Sequence, residues 1–406
     1  MTSVEAQLET IAPAAPLQAV PLGAIALAHT SVDIQIGALP ILLPQLLVAL
    51  DLNYALAAGI VSANAVVIAI AQPLFGLLGD RKSLRWLAPI GALICGAGLA
   101  LVPVAGLGLH SYALVIAAVI LGGLGSAAFH PEALAGVRQV SGAQTSTGSS
   151  VFFFAGNLGF ALGPILAGAL LDNGGLSSVS LIGALPIVTG ALLLTQQRAI
   201  RRPHGEGRHA VRKHHVAVGL VVYVMMLIIV RQTVSSGLTT FIPLYFHDQG
   251  GAQAGGTAGL VSVLSLASAV GMLFSGAAAD RWGRRAVMAG SMIIVFGALQ
   301  LFLNATGILQ IVALAVGGAA LTAPWTVSVV MVQDAMPGQP GLASGLTLGT
   351  AYSGISLAVY SLGMVADRFG LDLTMAVVVW IPAVAAVLSL WVPDQIRQGV
   401  AETGEA

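Results

Sequence analysis

Charged side chains are scarce in this sequence. Asp, Glu, Lys and Arg together make up 8% of its 406 residues, and hydrophobic residues make up 57%. A typical soluble domain has about 25% charged residues. A soluble protein of this length could not cover so much apolar surface with so few charges, because its surface has to face water. The composition therefore predicts a chain whose solvent is lipid.

Other features that are rare or missing narrow the possible functions. The single cysteine, Cys95, excludes a disulfide within the chain and argues against a thiolate metal cluster. The formal net charge is zero, which gives no basis for nucleic-acid binding. The sequence has no G-x-x-x-x-G-K-[ST] loop, so ATP does not drive it. We expect no enzymatic site, no metal and no cofactor.

Long apolar runs are abundant. A membrane-spanning helix needs roughly 20 apolar residues, and twelve such runs predict an all-α polytopic membrane protein. The 50 glycines and 18 prolines fit this class, because both residues are common in membrane spans. We expect tilts or breaks at Pro40, Pro44 and Pro243. The predicted spans cover residues 20–49, 55–79, 86–106, 111–131, 147–171, 177–196, 216–246, 257–279, 286–304, 308–331, 342–366 and 373–392.

One basic, polar segment, residues 198–215, interrupts these runs near the middle of the chain. We interpret it as a cytoplasmic linker between two six-helix bundles at 20–197 and 216–393. The tails at 1–19 and 394–406 are predicted to be cytoplasmic, and the first tail lacks the cationic start of a signal peptide.

Basic residues indicate how the protein sits in the membrane. With a cytoplasmic N-terminus, almost all of them fall on cytoplasmic loops, and Arg368 alone falls on an outer loop. Basic residues favour the cytoplasmic side. We predict a multi-pass protein of a bacterial-type inner membrane with both termini in the cytoplasm.

An internal repeat joins the two halves. Residues 76–85, GLLGDRKSLR, correspond to residues 276–285, GAAADRWGRR, and each segment follows the second span of its half. An aspartate at such a helix end can accept hydrogen bonds from a neighbouring helix N-terminus. We predict a conformational latch here, with simple anchoring of topology as the alternative. The latch residues are Gly76, Asp80, Arg81, Arg85, Gly276, Asp280, Arg281, Arg284 and Arg285. A partial third copy at 363–370 lies on the outer side, and we give it no latch role.

Three ionisable residues fall inside predicted spans, where charges are costly and usually functional. Asp33 lies four residues after His29, which places both on one helix face. We predict proton coupling by this pair, with a fixed buried pair as the alternative. Glu132 is a second candidate for proton coupling, or it caps the helix or pairs with Arg138. Pro131, next to His130, is expected to break the fourth helix.

Arg231 is the third embedded charge. Its guanidinium can bind a carboxylate or phosphonate in bidentate fashion, or it can serve as the permanent partner of Asp33 or Glu132. Further polar or aromatic side chains within spans can contact a solute or simply hold helices together. These further candidates for substrate binding are Gln72, Asn64, Asn157, Trp325 and Tyr352.

The repeated segment resembles the G-x-L-A-D-R-x-G-R-R loop of the major facilitator superfamily. The first copy departs from that pattern at Ser83 and Leu84. The second copy matches it at Gly276, Ala279, Asp280, Arg281, Gly283, Arg284 and Arg285. The resemblance implies a transporter with two pseudo-symmetric six-helix bundles, and by analogy a monomer.

Two shorter motifs resemble parts of this superfamily. The fifth span carries GNLGFALGPILAG at 156–168, and Gly159, Gly163, Pro164 and Gly168 match a motif of its antiporters. The run GSAAFHPE at 125–132, together with HTSVD at 29–33, is similar to the fosmidomycin-resistance branch.

These resemblances imply a proton-driven antiporter that exports a small drug-like or polar compound and whose partners are lipid, protons and its solute. One alternative is a facilitator or proton symporter that imports an organic anion. Another is a sensor or assembly partner that transports nothing.

Overall fold

A computed structural model describes residues 16–81, 86–197, 200, 217–250, 253–336 and 340–393. Ten helices in this part of the chain are long and apolar enough to cross a membrane. The chain is an all-α polytopic membrane protein. The predicted linker at 198–215 lies outside the described residues, apart from Ile200, as do most of both tails.

The first half contains six passes through the bundle. Helix α1 covers Ala19–Ala49 and contains a 3₁₀ turn at Leu39–Leu42, so the predicted break near Pro40 is confirmed. The other helices of this half are α2 (Tyr54–Arg81), α3 (Leu87–Pro103), α4 (Tyr112–Val140), α5 (Thr145–Ser178) and α6 (Ala184–Thr195).

The second half repeats this order. It contains α7 (Val218–Asp248), α8 (Ala254–Trp282), α9 (Arg284–Asn304) and α10, which runs from Ile308 to Leu321 and continues over Ala323–Ala335. One last helical stretch, Pro340–Ser389, bends at Gly370 into α11 (340–369) and α12 (371–389). Helix α7 runs unbroken through Pro243, so the expected break there is wrong.

The chain reverses direction at two glycines with positive φ, Gly175 (65°) and Gly370 (83°). Helix α5 runs parallel to α1, since a Cβ at Gly156 would meet His29 and one at Gly163 would meet Ile34. Helix α6 runs antiparallel to α3, since Gly183 lies against Gly96 and Ala100 whereas Gly190 lies against Pro89 and Ala92. A reversal at each glycine turns ten long helices into twelve passes.

Helix α4 differs from its prediction. The sequence predicts an end near Pro131, but the helix continues to Val140. A proline removes one backbone N–H and therefore one hydrogen bond. Membrane helices tolerate this loss because neighbouring helices can satisfy the freed carbonyl.

The packing distinguishes the two ends of the molecule. We call the end that carries the predicted linker and both tails the proximal end, and the opposite end the distal end. At the distal end, buried apolar residues of both halves form one continuous cluster, which includes Leu42, Ala58, Phe241 and Val359. The proximal end instead has two separate clusters, one in each half. The halves are therefore closed against each other distally.

Candidate functional site

A cluster of three ionisable side chains lies about halfway along α1 and α4. The Asp33 carboxylate stands between two histidines, with Oδ2 at 3.2 Å from His29 Nε2 and Oδ1 at 3.3 Å from His130 Nε2. We call these three residues the acid–histidine cluster. Asp33 and His29 are buried, and the side chain of His130 retains 16% of its exposure. His130 is therefore the member through which solvent protons reach the cluster most directly.

Backbone carbonyls fix the orientation of both histidines. His29 Nδ1 lies 2.8 Å from the carbonyl oxygen of Phe152, and His130 Nδ1 lies 2.8 Å from that of Ser126. A carbonyl oxygen only accepts hydrogen bonds, so we assign a proton to each Nδ1. Both Nε2 atoms are then directed at Asp33. The His29 ring also stacks on Phe152 with a centroid distance of 3.8 Å.

This arrangement holds protons between Asp33 and the two Nε2 atoms. An Nε2 atom with a proton donates to the carboxylate, whereas an Nε2 atom without one turns its lone pair toward the carboxylate oxygens. Each proton that leaves also changes the charge of a buried group by one unit, which is costly in a medium of low dielectric constant. The cluster is therefore stable only when loaded with protons or when it opens.

Helix α5 makes room for the cluster. A Cβ on Gly156 would lie 2.7 Å from Asp33 Oδ2 and 2.6 Å from His29 Cε1. A Cβ on Gly159 would lie 2.4 Å from the Thr30 carbonyl oxygen. Gly159 and Gly163 thus pack α5 against α1 within the first half, with Pro164 beside Gly37, whereas Gly168 packs against α8 of the second half.

Arg231 lies in the second half, on α7. Its Nε donates to the Leu321 carbonyl oxygen at 3.1 Å, an Nη donates to Gln232 Oε1, and the guanidinium lies 6.0 Å from the centre of the Trp325 ring. Arg231 pairs with no carboxylate in the described part of the chain, since Asp33 contacts the two histidines instead. Arg231 is a buried cation that an anionic solute could neutralise.

The spacing of the acid–histidine cluster has one further chemical property. Its three potential ligand atoms lie within 4.8 Å of one another, close enough for one metal ion to touch all three. A metal ion and protons would compete for the same Nε2 atoms. Assays of proton binding at this site therefore need a chelator.

Glu132 is not part of the acid–histidine cluster. It is buried and packs over α2, where its Oε1 atom would lie 1.9 Å from a Cβ on Gly79. Pro131, the residue before it, lies beside Gly76. The second half has a related proximal contact, because Asp334 on α10 accepts a 2.7 Å hydrogen bond from Arg284. Both acidic residues thus hold helices together near the proximal end.

The predicted latch is only partly described. Arg85 and the side chains of Asp80 and Arg81 lie outside the described residues. Asp280 is exposed, a Cβ on Gly276 would meet nothing within 4 Å, and Arg281 lies 5.8 Å from the centre of the Trp282 ring. Arg285 Nε donates to the Val392 carbonyl oxygen at 2.9 Å. Where it is described, this segment contacts its own half, as expected when the proximal ends are apart.

The remaining candidates have different surroundings. Asn64 donates to the Val119 carbonyl oxygen at 3.3 Å, and Asn157 donates to that of Phe153 at 2.9 Å, so both hold helix backbone. Gln72 is half-buried on α2. Tyr352 on α11 is close enough to Asp33 for the charge of the carboxylate to act on its hydroxyl, although the two belong to different halves.

Sequence reasoning missed the position of His130. It placed this residue at the end of α4, whereas the structure places it against Asp33. The pairing depends on how α4 crosses α1, and no spacing within one helix encodes that crossing. The only sequence signal was a histidine beside an embedded carboxylate in the same run.

Comparisons with known proteins agree with this architecture. The profile of the Major Facilitator Superfamily matches residues 25–264 and 228–405. The chain is 26% identical over 385 residues to the fosmidomycin resistance protein of Escherichia coli K12, a match that covers 92% of each protein. It is 25% identical over 386 residues to the uncharacterized MFS-type transporter YfnC of Bacillus subtilis 168, covering 91% of this chain and 92% of that one.

Solved structures of transporters share the fold. A bacterial homologue of the human lysosomal transporter Spinster, in an inward-facing and unoccupied conformation, superposes with a TM-score of 0.78 at 14% identity, covering 92% of this chain and 96% of that chain. The inward-open xylose transporter XylE of E. coli gives 0.72 at 15% identity, with 93% and 98% covered.

Proposed function

Because this chain belongs to the major facilitator superfamily, we propose that it is a proton-coupled antiporter that exports a small drug-like or anionic compound by alternating access. The observation that carries the proposal is the acid–histidine cluster. A buried carboxylate between two histidines whose Nδ1 atoms both face carbonyl oxygens has room for protons on both Nε2 atoms. Such intramembrane clusters are suited to proton relays.

The position of the cluster supports coupling to conformation. His29 and Asp33 lie on α1, His130 lies on α4, and both helices belong to the first half. Tyr352, within electrostatic range of Asp33, belongs to the second half. When the halves rock apart on one side, the surroundings of Asp33 change, and with them the affinity of the cluster for protons.

Arg231 supports an anionic solute. It is a buried cation without a carboxylate partner in the described residues, and it lies beside the flat ring of Trp325. A carboxylate or phosphonate group would receive two parallel hydrogen bonds from its guanidinium. The same observation favours the second candidate function, a facilitator or symporter that imports an organic anion.

The test uses purified protein in sealed liposomes that contain a pH-sensitive dye and a chelator. A proton gradient is imposed, and phosphonates, carboxylates and cationic drugs are added in turn. In the wild type we expect protons to move out against solute entry. Asp33→Asn should abolish this flux, and His130→Gln should weaken it strongly. His247→Gln is the matched control, because His247 is exposed at the distal end.

Other variants and outcomes separate the alternatives. Arg231→Ala should lose anion transport, whereas Arg138→Ala, an exposed arginine on α4, should not. Proton flux that survives in Asp33→Asn and disappears in Glu132→Gln would move the coupling site to Glu132. Solute movement without proton flux would overturn the antiport proposal in favour of the facilitator. If no solute moved, and the three charge-removing variants left the cellular phenotype unchanged, the protein would be a sensor.

A further inference from the structure

The distal end contains a repeat that the sequence analysis did not use. The pattern G-x-x-x-D-x-x-G occurs at residues 168–175 near the end of α5 and at residues 363–370 near the end of α11. These two helices occupy equivalent places in the two halves. In each copy the last glycine has a positive φ and reverses the chain. The first glycine and the aspartate lie one helical turn apart, so they share a helix face.

Both aspartates reach the N-terminus of a helix in the other half. Asp367 on α11 accepts hydrogen bonds from the backbone N–H groups of Tyr54, at 2.7 Å to Oδ1, and Ala55, at 3.1 Å to Oδ2. These are the first two residues of α2. Asp172 on α5 accepts a 2.8 Å hydrogen bond from the N–H of Gly255, the second residue of α8. The two contacts are thus related by the same pseudo-symmetry as the halves.

The glycines allow the helices to come this close. A Cβ on Gly363 would lie 2.8 Å from Ala55 Cα, and a Cβ on Gly168 would lie 2.6 Å from Ala258 Cβ. A Cβ on Gly255 would lie 2.5 Å from Asp172 Oδ2 itself. Each crossing therefore has a glycine at the point of tightest contact, with the aspartate one turn further along.

We propose that Asp172 and Asp367 form a distal latch, which holds the halves closed at this end by capping α8 and α2 across the interface between the halves. The first N–H groups of a helix have no partner within that helix, and its dipole favours a negative charge there. When the distal ends separate, both helix N-termini lose their anion to water. The distal latch therefore stabilises the state that is open at the proximal end.

This inference corrects the sequence analysis, which gave the segment at 363–370 no latch role. The contact across the interface could not be foreseen, because the aspartate follows the end of one helix and its partner begins another helix more than 300 positions earlier, at Tyr54. A further distal hydrogen bond between the halves, from the Tyr54 hydroxyl to Asp248 Oδ1 at 2.9 Å, reinforces the α2 side.

Spin labels on opposite halves test the proposal in lipid nanodiscs. Ser177→Cys and Gln249→Cys place one label in each half at the distal end, and Cys95 stays unlabelled because it is fully buried. The wild type should show mainly the short distance. Asp172→Asn combined with Asp367→Asn removes both charges but keeps an acceptor oxygen at each site. We expect the open-to-closed population ratio to rise on the order of tenfold, and by about two- to fivefold for each single change.

Asp51→Asn is the matched control. Asp51 is exposed at the distal end and has a φ of 50°, a conformation that asparagine also accepts. Unchanged distances in the double Asn variant, or an equal shift in Asp51→Asn, would refute the distal latch. The double Ala variant removes the acceptors as well and should open the distal end further, so a smaller shift than with Asn would also contradict it. The proposal rests on alternating access, but these distances need neither solute nor proton gradient and can fail independently of antiport.

Discussion

At the scale of single residues, the acid–histidine cluster depends on a side chain that is absent. Gly156 leaves the space into which the His29 imidazole and the Asp33 carboxylate fit. The opposing side is fixed, since His29 donates to the Phe152 carbonyl oxygen and stacks on the Phe152 ring. The ring therefore has little freedom to retreat, and the spacing of the three ionisable groups is set by α5 as much as by α1.

We expect Gly156→Ala to impair proton-coupled transport while leaving the protein folded. The added methyl group would contact the ends of side chains rather than backbone, so the His29–Asp33 contact should lengthen while the helices stay in place. Overpacking of this kind costs about 1–3 kcal/mol. Solute-dependent proton flux in liposomes measures the effect. Gly23→Ala on α1 is the control, because a Cβ there meets nothing within 4 Å, and equal flux in both variants would contradict the prediction.

At this scale the sequence predicted some contacts and missed others. The pair His29 and Asp33 follows from helical spacing alone, and the structure confirms that the two residues are in contact. His130 and Tyr352 approach Asp33 only through the way α4 and α11 pack, so no local pattern could reveal them. The sequence analysis also offered Asp33 and Glu132 as partners for Arg231. The structure instead gives Asp33 two histidines and leaves the guanidinium against Trp325 and Gln232.

At the scale of helices, the contact between α1 and α5 relies on backbone touching backbone. A Cβ on Gly159 would lie 2.4 Å from the Thr30 carbonyl oxygen, and one on Gly163 would lie 2.4 Å from that of Ile34. Backbone atoms cannot move aside as a side chain can. Small residues are what let membrane helices pack this closely. The glycines that resemble an antiporter motif therefore have two separate tasks, since only Gly168 lies between the halves.

We expect Gly159→Val to destabilise the first half by about 1–3 kcal/mol or more, because α1 and α5 would have to separate. Thermal unfolding of the purified protein in detergent measures this. Gly290→Val on α9 has the same intrinsic effect on a helix, but a Cβ at that position meets nothing within 4 Å. If both variants melted at the same temperature, the close contact between α1 and α5 would have no energetic weight.

Helix existence was predictable and helix ends were less so. Apolar runs gave all twelve passes, because a span in lipid needs a minimum length of apolar residues. The end of α4 was misplaced at Pro131, because the rule that proline ends a helix holds in water better than inside a bundle. The reversal points Gly175 and Gly370 were equally hidden, since a positive φ leaves no hydrophobic signal.

At the scale of the whole molecule, an even number of passes places both termini at the same end. Since the basic residues predict that this end is cytoplasmic, reporter fusions give opposite results at the two ends. Alkaline phosphatase joined after Asn173, in the distal turn between α5 and α6, should be active in cells. The same enzyme joined after Ala406 should be inactive, whereas a fluorescent protein at that position should fluoresce. The reverse pattern would invert the assigned orientation.

The single apolar cluster shared by both halves at the distal end bears on leakage. Without a proton gradient or solute, the molecule already has one side sealed by apolar packing and two carboxylates. If the proximal end is cytoplasmic, the idle protein waits with its central groups accessible from inside the cell and shielded from the outside. An exporter that rests in this orientation meets its cargo before it opens outward, so external protons do not slip through an empty carrier.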